Sequence, residues 1–309
     1  MAVCGKPPSG GARKRSVAVF GHRGARGIFP ENTIPGFRFA LDIGSDGIEI
    51  DVLLTRDLVP VVTHYPVLLA ETARDGRGHW IEEDSGLISD MSLAELQTYD
   101  VGALRAGSAH AARFPEQARL DGVQVPKLQD VAALLAEYPR ARLNIEVKSF
   151  AARPDLTAAP GVMAREILSV VQSHGISDRT FVSSFDWRVL SAFRDQDAGI
   201  SRYYLTYLDR PDPPMEPNIF ENSPWMDGVS LAAHGGSLPQ AIADIGGKGW
   251  CPHFGDLNAQ DVERAHELGL LVNVWTVNSS EDISRMAELG ADTIISDYPA
   301  RVQDVLAEV

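Results

Sequence analysis

Residues Gly47 to Leu54 read G-I-E-I-D-V-L-L. Ile48, Ile50 and Val52 alternate with Glu49 and Asp51, the period of a strand with one apolar face and one acidic face. A strand of this kind suits a barrel wall. The apolar side chains turn outward beneath helices, and the two carboxylates turn inward. Reading outward from this segment, similar short apolar runs recur along the chain. They are V-A-V-F at Val17 to Phe20, R-L-N-I-E-V-K at Arg142 to Lys148, T-F-V-S-S-F at Thr180 to Phe185, L-L-V-N-V-W-T ending at Thr276, and D-T-I-I-S ending at Ser296. Tyr203 to Tyr207 and Asp227 to Leu231 are weaker strand candidates. Between them lie helical patterns at Asn32–Leu41, Val162–Ser173, Asn258–Leu268, Glu281–Leu289 and Val302–Ala307. Repeated strand–helix alternation with about eight strands predicts an α/β fold, a (β/α)8 TIM barrel with a parallel sheet. No G-x-G-x-x-G follows the first strand, so a dinucleotide-binding sheet has no support.

The 309 residues exceed the roughly 250 of a simple barrel, and the surplus has two places to go. Met1 to Ser16, rich in Gly, Pro and basic residues, reads as a flexible tail. From Pro66 to about Gly122 the alternation lapses, which predicts an insertion after the second barrel strand. Within it Ser92 and Glu95 form a capping-box pattern. The domain expected is therefore 17–309.

The formal charge of −14 argues against a general nucleic-acid binder. It leaves room for a small anionic substrate, because net charge does not describe one pocket. Cys4 and Cys251 are placed for neither a disulfide nor a zinc site. Met1 to Ser16 lacks the apolar run of a signal peptide, and no stretch approaches the length of a membrane span. A cytoplasmic protein with no stable membrane insertion is the expectation.

In a barrel the chemistry sits at the C-terminal ends of the strands. Gly21-His22-Arg23-Gly24 ends the first, Glu49 and Asp51 lie on the second, and Glu146 and Lys148 repeat that spacing on the third. Trp275-Thr276-Val277-Asn278 and Ser296-Asp297 end the last two. Glu49, Asp51 and Glu146 facing one point suit one hard divalent cation, Mg²⁺ or Ca²⁺. A polar layer salt-bridged by Lys148 and Arg23 satisfies the same spacing, and spacing does not choose between them. The tract T-R-D-L predicts a hairpin turn about Arg56–Asp57, which would return His64 opposite Glu49 and Ile50. His22 and His64 would then converge on the acids as a general acid/base pair. Arg23 and Lys148 offer a fork and a point charge to an anion. Phe185 and Trp275 could cover a small carbon skeleton.

These segments, H-R-G-A-R-G-I-F-P-E-N-T, G-I-E-I-D-V-L-L-T-R-D, V-P-V-V-T-H, N-I-E-V-K, V-S-S-F-D, V-N-V-W-T-V-N and I-I-S-D-Y-P, resemble in order and spacing the glycerophosphodiester phosphodiesterases. The resemblance spans Val17 to Arg301. It implies a metal-dependent barrel that hydrolyses glycerophosphodiesters, small-molecule substrates, to glycerol 3-phosphate and an alcohol. It also implies Glu49, Asp51 and Glu146 as metal ligands, His22 and His64 as the acid/base pair, Arg23 and Lys148 on the phosphate, and Phe185 and Trp275 near the glycerol. Two positions depart from the pattern. Leu58 stands where relatives usually have Gly after the turn Asp, and Tyr65 where they usually have Asp after the second histidine. Two rival readings stay within the same barrel type. One is a lysophospholipid or sphingolipid phosphodiesterase with an apolar mouth formed by Val67, Leu68, Leu69 and Trp80. The other is a non-catalytic phosphodiester-binding protein.

Overall fold

Gly47–Leu54 is a strand buried along its whole length. It lies between Ala18–His22 and Arg142–Val147, parallel to both. The computed structural model describes residues 17–209 and 215–308. In it the sheet continues through Thr180–Ser184, Ser201–Thr206, Gly249–Pro252, Leu271–Val274 and Thr293–Ser296, and the last strand pairs back onto the first. This is a closed eight-stranded parallel barrel with helices outside, the TIM barrel expected. The tail assigned to Met1 to Ser16, with Cys4, lies outside the described residues.

The pleat sorts the side chains as the alternation requires. Ile48, Ile50 and Val52 join the main core together with helix residues such as Phe37, Leu128 and Val131. On the alternate positions, Phe20, Phe181, Tyr203, Leu205, Cys251 and Ile295 form a second, smaller buried cluster. Two residues further along the same strands come His22, Ser183, His253 and Asp297. The apolar layer thus ends where a polar layer begins, at the C-terminal end. Cys251 is buried and free. Among the described residues no helix is long and apolar enough to cross a membrane.

The sixth strand corrects the sequence reading. Asp227–Leu231 forms no strand: Asp227 has φ 51° and Leu231 opens a short 3₁₀ turn. The wall is built instead by Gly249–Pro252. Its Gly249 is required by a close approach, since a Cβ there would stand 2.0 Å from Cδ1 of Tyr203. Helices at Leu128–Leu135, Trp187–Gln196 and Leu238–Asp244 complete the alternation where the sequence pattern was silent.

The hairpin forms as predicted. Pro60–Val62 runs antiparallel to Val52–Leu54, and the Thr63 amide donates to the Asp51 carbonyl at 3.0 Å. That register sets His64 beside Ile50. Leu58 takes φ 62° in the turn, a left-handed conformation that glycine adopts without strain. Beyond the hairpin, the pair Val67–Leu68 and Ser85–Leu87, the helix Leu93–Leu96 and the helix Ala109–Arg113 build the insertion. Ser92 and Glu95 close the expected capping box.

Candidate active site

The segment after the first strand is shaped by its backbone. A Cβ on Gly21 would stand 1.8 Å from the Gly24 carbonyl oxygen, and Gly24 itself has φ 90°. Between them Arg23 is also left-handed, at φ 50°. An arginine in that region is strained, and the surroundings hold it there. Its amide donates to Glu49 Oε2 at 2.9 Å, and its carbonyl accepts from the Asn32 amide at 3.0 Å. The P-E-N-T tract then supplies one function per residue. Glu31 pairs with Arg23 at 2.9 Å and with Arg26 at 3.4 Å. The Asn32 side chain donates to Asp51 Oδ2 at 2.8 Å. Thr33 caps the helix Ile34–Asp42, its hydroxyl accepting from the Gly36 amide.

Glu49, Asp51 and Glu146 converge as expected. One carboxylate oxygen from each lies within 4.8 Å of the others. Asp51 and Glu146 are cross-strand neighbours in the barrel ladder. Salt bridges are present in the same layer. Lys148 Nζ contacts Glu146 and lies 3.6 Å from Asp51 Oδ1, and Arg23 Nε is 3.1 Å from Asp51 Oδ2. These pairs leave acid over. Glu49 Oε1 and Asp51 Oδ1 are buried with no hydrogen-bond partner. Burial, Asp51 and Glu146 push the Glu49 carboxyl well above the usual range. Burial opposes ionisation of Asp51 too, but Arg23, Lys148 and Asn32 outweigh it and hold that group below its usual value. Glu31, Glu49, Asp51, Glu146 and Asp297 face Arg23, Arg26 and Lys148. With all the acids ionised, the cluster is short of two positive charges. One divalent cation closes that deficit, and oxygen-only donors suit Mg²⁺ or Ca²⁺.

The two histidines share this cavity but not their surroundings. His22 Nδ1 is bound to Asp297 Oδ1 at 2.7 Å, and Nε2 lies 4.0 Å from Glu49. Burial lowers the His22 pKa, and Asp297 partly restores it. Asp297 is in turn fixed by the Asn278 amide at 2.8 Å and by Arg26 Nε at 3.2 Å. Burial disfavours its charge, but His22 and Arg26 hold its carboxyl far below the usual range. Among the described residues no carboxylate pairs with His64. Its Nδ1 is buried without a hydrogen-bond partner, and the Tyr65 ring lies edge-on with centroids 4.4 Å apart. Burial, then Arg23, Lys148 and Arg26, push its pKa well below the ordinary value.

The cavity at this end of the barrel holds about 520 Å³ and is lined by His22, Arg23, His64, Glu146 and Lys148 among others. Phe185 and Trp275 line it as well, packed edge to face at 5.3 Å. Lys148 Nζ lies 5.9 Å from the Phe185 ring. All the sequence-derived residues thus meet at one cavity or its acidic floor. Three partners had no assigned role in the sequence reading: Asp297, Arg26 and Glu31. Barrel closure was the available signal for Asp297, because the last strand must return beside the first. The four residues expected at an apolar mouth do not line this cavity: Val67, Leu68 and Leu69 line an adjoining hollow of about 40 Å³ that shares His64 and Tyr65 with it, and Trp80 packs against the Arg74 guanidinium at 5.5 Å.

A family model described as the glycerophosphoryl diester phosphodiesterase family matches residues 22–301. The crystal structure of a Silicibacter pomeroyi protein, provisionally described as a glycerophosphoryl diester phosphodiesterase, aligns with a TM-score of 0.85 and 40 % identity, covering 96 % of this chain and 95 % of that one. A glycerophosphodiester phosphodiesterase of Bacillus altitudinis is 28 % identical over 94 % of this chain and 98 % of its own. An Oleispira antarctica phosphodiesterase, solved with its product sn-glycerol-3-phosphate, shares the fold at a TM-score of 0.68 and 23 % identity, covering 94 % of this chain and 96 % of that one.

Proposed function

The chain belongs to the glycerophosphoryl diester phosphodiesterase family, phosphoric diester hydrolases, and from that premise we propose that its cavity cleaves glycerophosphodiesters to glycerol 3-phosphate and an alcohol, with His22 and His64 as acid and base. The observation that carries this reading is the unequal setting of the two histidines beside one buried acid triad.

His64, unpaired and ringed by cations, is held neutral, the state in which an imidazole accepts a proton. It would deprotonate the attacking hydroxyl, of water or of the glycerol itself. His22 is set for the opposite task. An ionised Asp297 can only accept, so the Nδ1 hydrogen is fixed and Nε2 becomes the exchanging nitrogen. The same carboxylate stabilises the imidazolium, so His22 would protonate the departing alcohol. Arg23 and Lys148 would bind the phosphate oxygens, and Phe185 and Trp275 would cover the glycerol carbons. A divalent cation held by Glu49, Asp51 and Glu146 would supply Lewis-acid neutralisation of the phosphoryl charge.

The test is release of glycerol 3-phosphate from glycerophosphoethanolamine with Mg²⁺ or Ca²⁺ supplied. His22→Ala and His64→Ala should each lose activity on the order of 10²–10⁴-fold while keeping the wild-type circular dichroism spectrum. Near-wild-type rates in either variant remove that residue from the reaction. Tight binding without turnover by the unmodified protein supports a non-catalytic binder instead.

A further inference from the structure

Among the described residues four long cationic side chains line the cavity: Arg23, Arg26, Arg113 and Lys148. Arg23 is paired with Glu31 and Asp51, Arg26 with Glu31 and Asp297, and Lys148 with Glu146 and Asp51. Arg113 has no acidic partner among the described residues. It comes from the insertion, as the last residue of the helix Ala109–Arg113. A protein with a charge of −14 has acids to spare, so an arginine left open at the mouth of an anion-binding cavity is chemically available to a ligand.

Its position is supported from two sides. The buried Phe114 ring lies 4.4 Å from the Arg26 guanidinium and 5.3 Å from that of Arg113, so one aromatic face system serves two like charges. Three residues back along the helix, His110 takes Glu71 through both its amide and its Nδ1, and its Nε2 meets the Tyr65 hydroxyl at 3.4 Å. Tyr65 follows His64 directly. The departure from the family pattern at this position therefore links the second histidine's strand end to the helix that carries Arg113.

We propose that Arg113 is a specificity residue that favours glycerophosphodiesters whose leaving alcohol carries a negative charge, a carboxylate or a second phosphate. The proposal rests on the hydrolytic reading above. The phosphodiester engages the paired cations deeper in the cavity, and the head group extends toward the insertion. There an anion gains a charge-assisted contact that a neutral or cationic head group does not. On another part of the lining stands Glu216, exposed, which would favour the opposite charge.

Two matched substrate pairs test this. Glycerophosphoserine and glycerophosphoethanolamine differ by one carboxylate; glycerophosphoinositol 4-phosphate and glycerophosphoinositol differ by one phosphate. In low salt, kcat/KM should favour the anionic member of at least one pair by about fivefold, the upper end for an exposed ion pair such as Arg113 would make. Which pair responds tells carboxylate from phosphate. Arg113→Gln should bring that ratio to about one, Arg113→Glu should invert it, and added salt should narrow it in the unmodified enzyme. A preference for the anionic member in neither pair, or a ratio that survives Arg113→Gln, overturns the assignment but leaves the hydrolytic reading standing. No release from any of the four with metal supplied overturns both.

Discussion

One residue type is placed twice in this cavity with opposite electrostatics, and the difference sets a pH dependence. His64 is buried among Arg23, Lys148 and Arg26, so its charged form is disfavoured. In its proposed role as the base it must be unprotonated, so activity should rise with pH through its lowered pKa. The acid limb of kcat/KM should therefore lie below about pH 6.5, the value of a free imidazole. Lys148→Gln removes one of the cations facing His64 and should move the limb upward. A limb centred above pH 7 in the unmodified enzyme would count against His64 as base. The linkage to stability has the same sign. Both histidines have lowered pKa values when folded, so below about pH 6.5 each binds more protons in the unfolded chain and their contribution to stability falls as pH falls, whereas Glu49, held above its usual value, contributes with the opposite sign. At this scale the sequence was informative where one residue does one job. H-R-G and E-x-D could be read because each motif falls within a few positions of one strand or strand end. Asp297 was not read as a partner of His22, because 275 positions separate the two and barrel closure alone joins them.

Elements show where periodicity carries information and where it lapses. Gly47–Leu54 has enough alternating residues to reveal both its faces, whereas the wall strand Gly249–Pro252 is four residues long and begins and ends on Gly and Pro. Its conformation is imposed by neighbours, through pairing to Ser201–Thr206 and the Tyr203 ring over Gly249. Local propensity had little to contribute there. The insertion is a stronger case. Beyond the capping box no contact within it was legible, yet it is tied through buried Arg74, which reaches Asp100 at 2.8 Å, Asp121 at 2.6 Å and the Leu120 carbonyl at 2.8 Å. Asp121 is well exposed, so its share of the anchoring is small, and the partly buried Asp100 and the carbonyl carry most of it. Arg74→Met should cost about 2 kcal/mol, by leaving buried acceptors without their donor. Hydrogen exchange should read this as roughly thirtyfold faster opening across residues 74–122, with protection of Gly47–Leu54 unchanged. Uniform acceleration in the barrel and insertion alike would mean that the two open as one unit.

At the scale of the whole molecule the charge of −14 and the anionic substrate class look opposed. The buried cluster reconciles them. Its acids exceed its paired cations, and among the described residues two carboxylate oxygens, Glu49 Oε1 and Asp51 Oδ1, stay buried without a hydrogen-bond donor, the second with only Lys148 Nζ at 3.6 Å. Without a cation this cluster carries like-charge repulsion in the middle of the fold; with one, the same residues would form a charge-balanced floor that no longer repels a phosphate. Metal removal should therefore be felt twice. Exhaustive chelation should abolish hydrolysis, and return of Mg²⁺ or Ca²⁺ should restore it, with the better ion identifying the resident metal. The folded state alone assembles the triad, so an ion at one hundred times its dissociation constant should also stabilise the chain by about 2.7 kcal/mol. For a domain of this size that is a rise in Tm of about 5 °C. Glu49→Gln should lose most of the ion-dependent rise, because it removes a ligand that nothing else in the cluster neutralises. A Tm indifferent to both ions, in a protein whose hydrolysis also survives chelation, would leave Lys148 and Arg23 as the whole cationic complement of the triad.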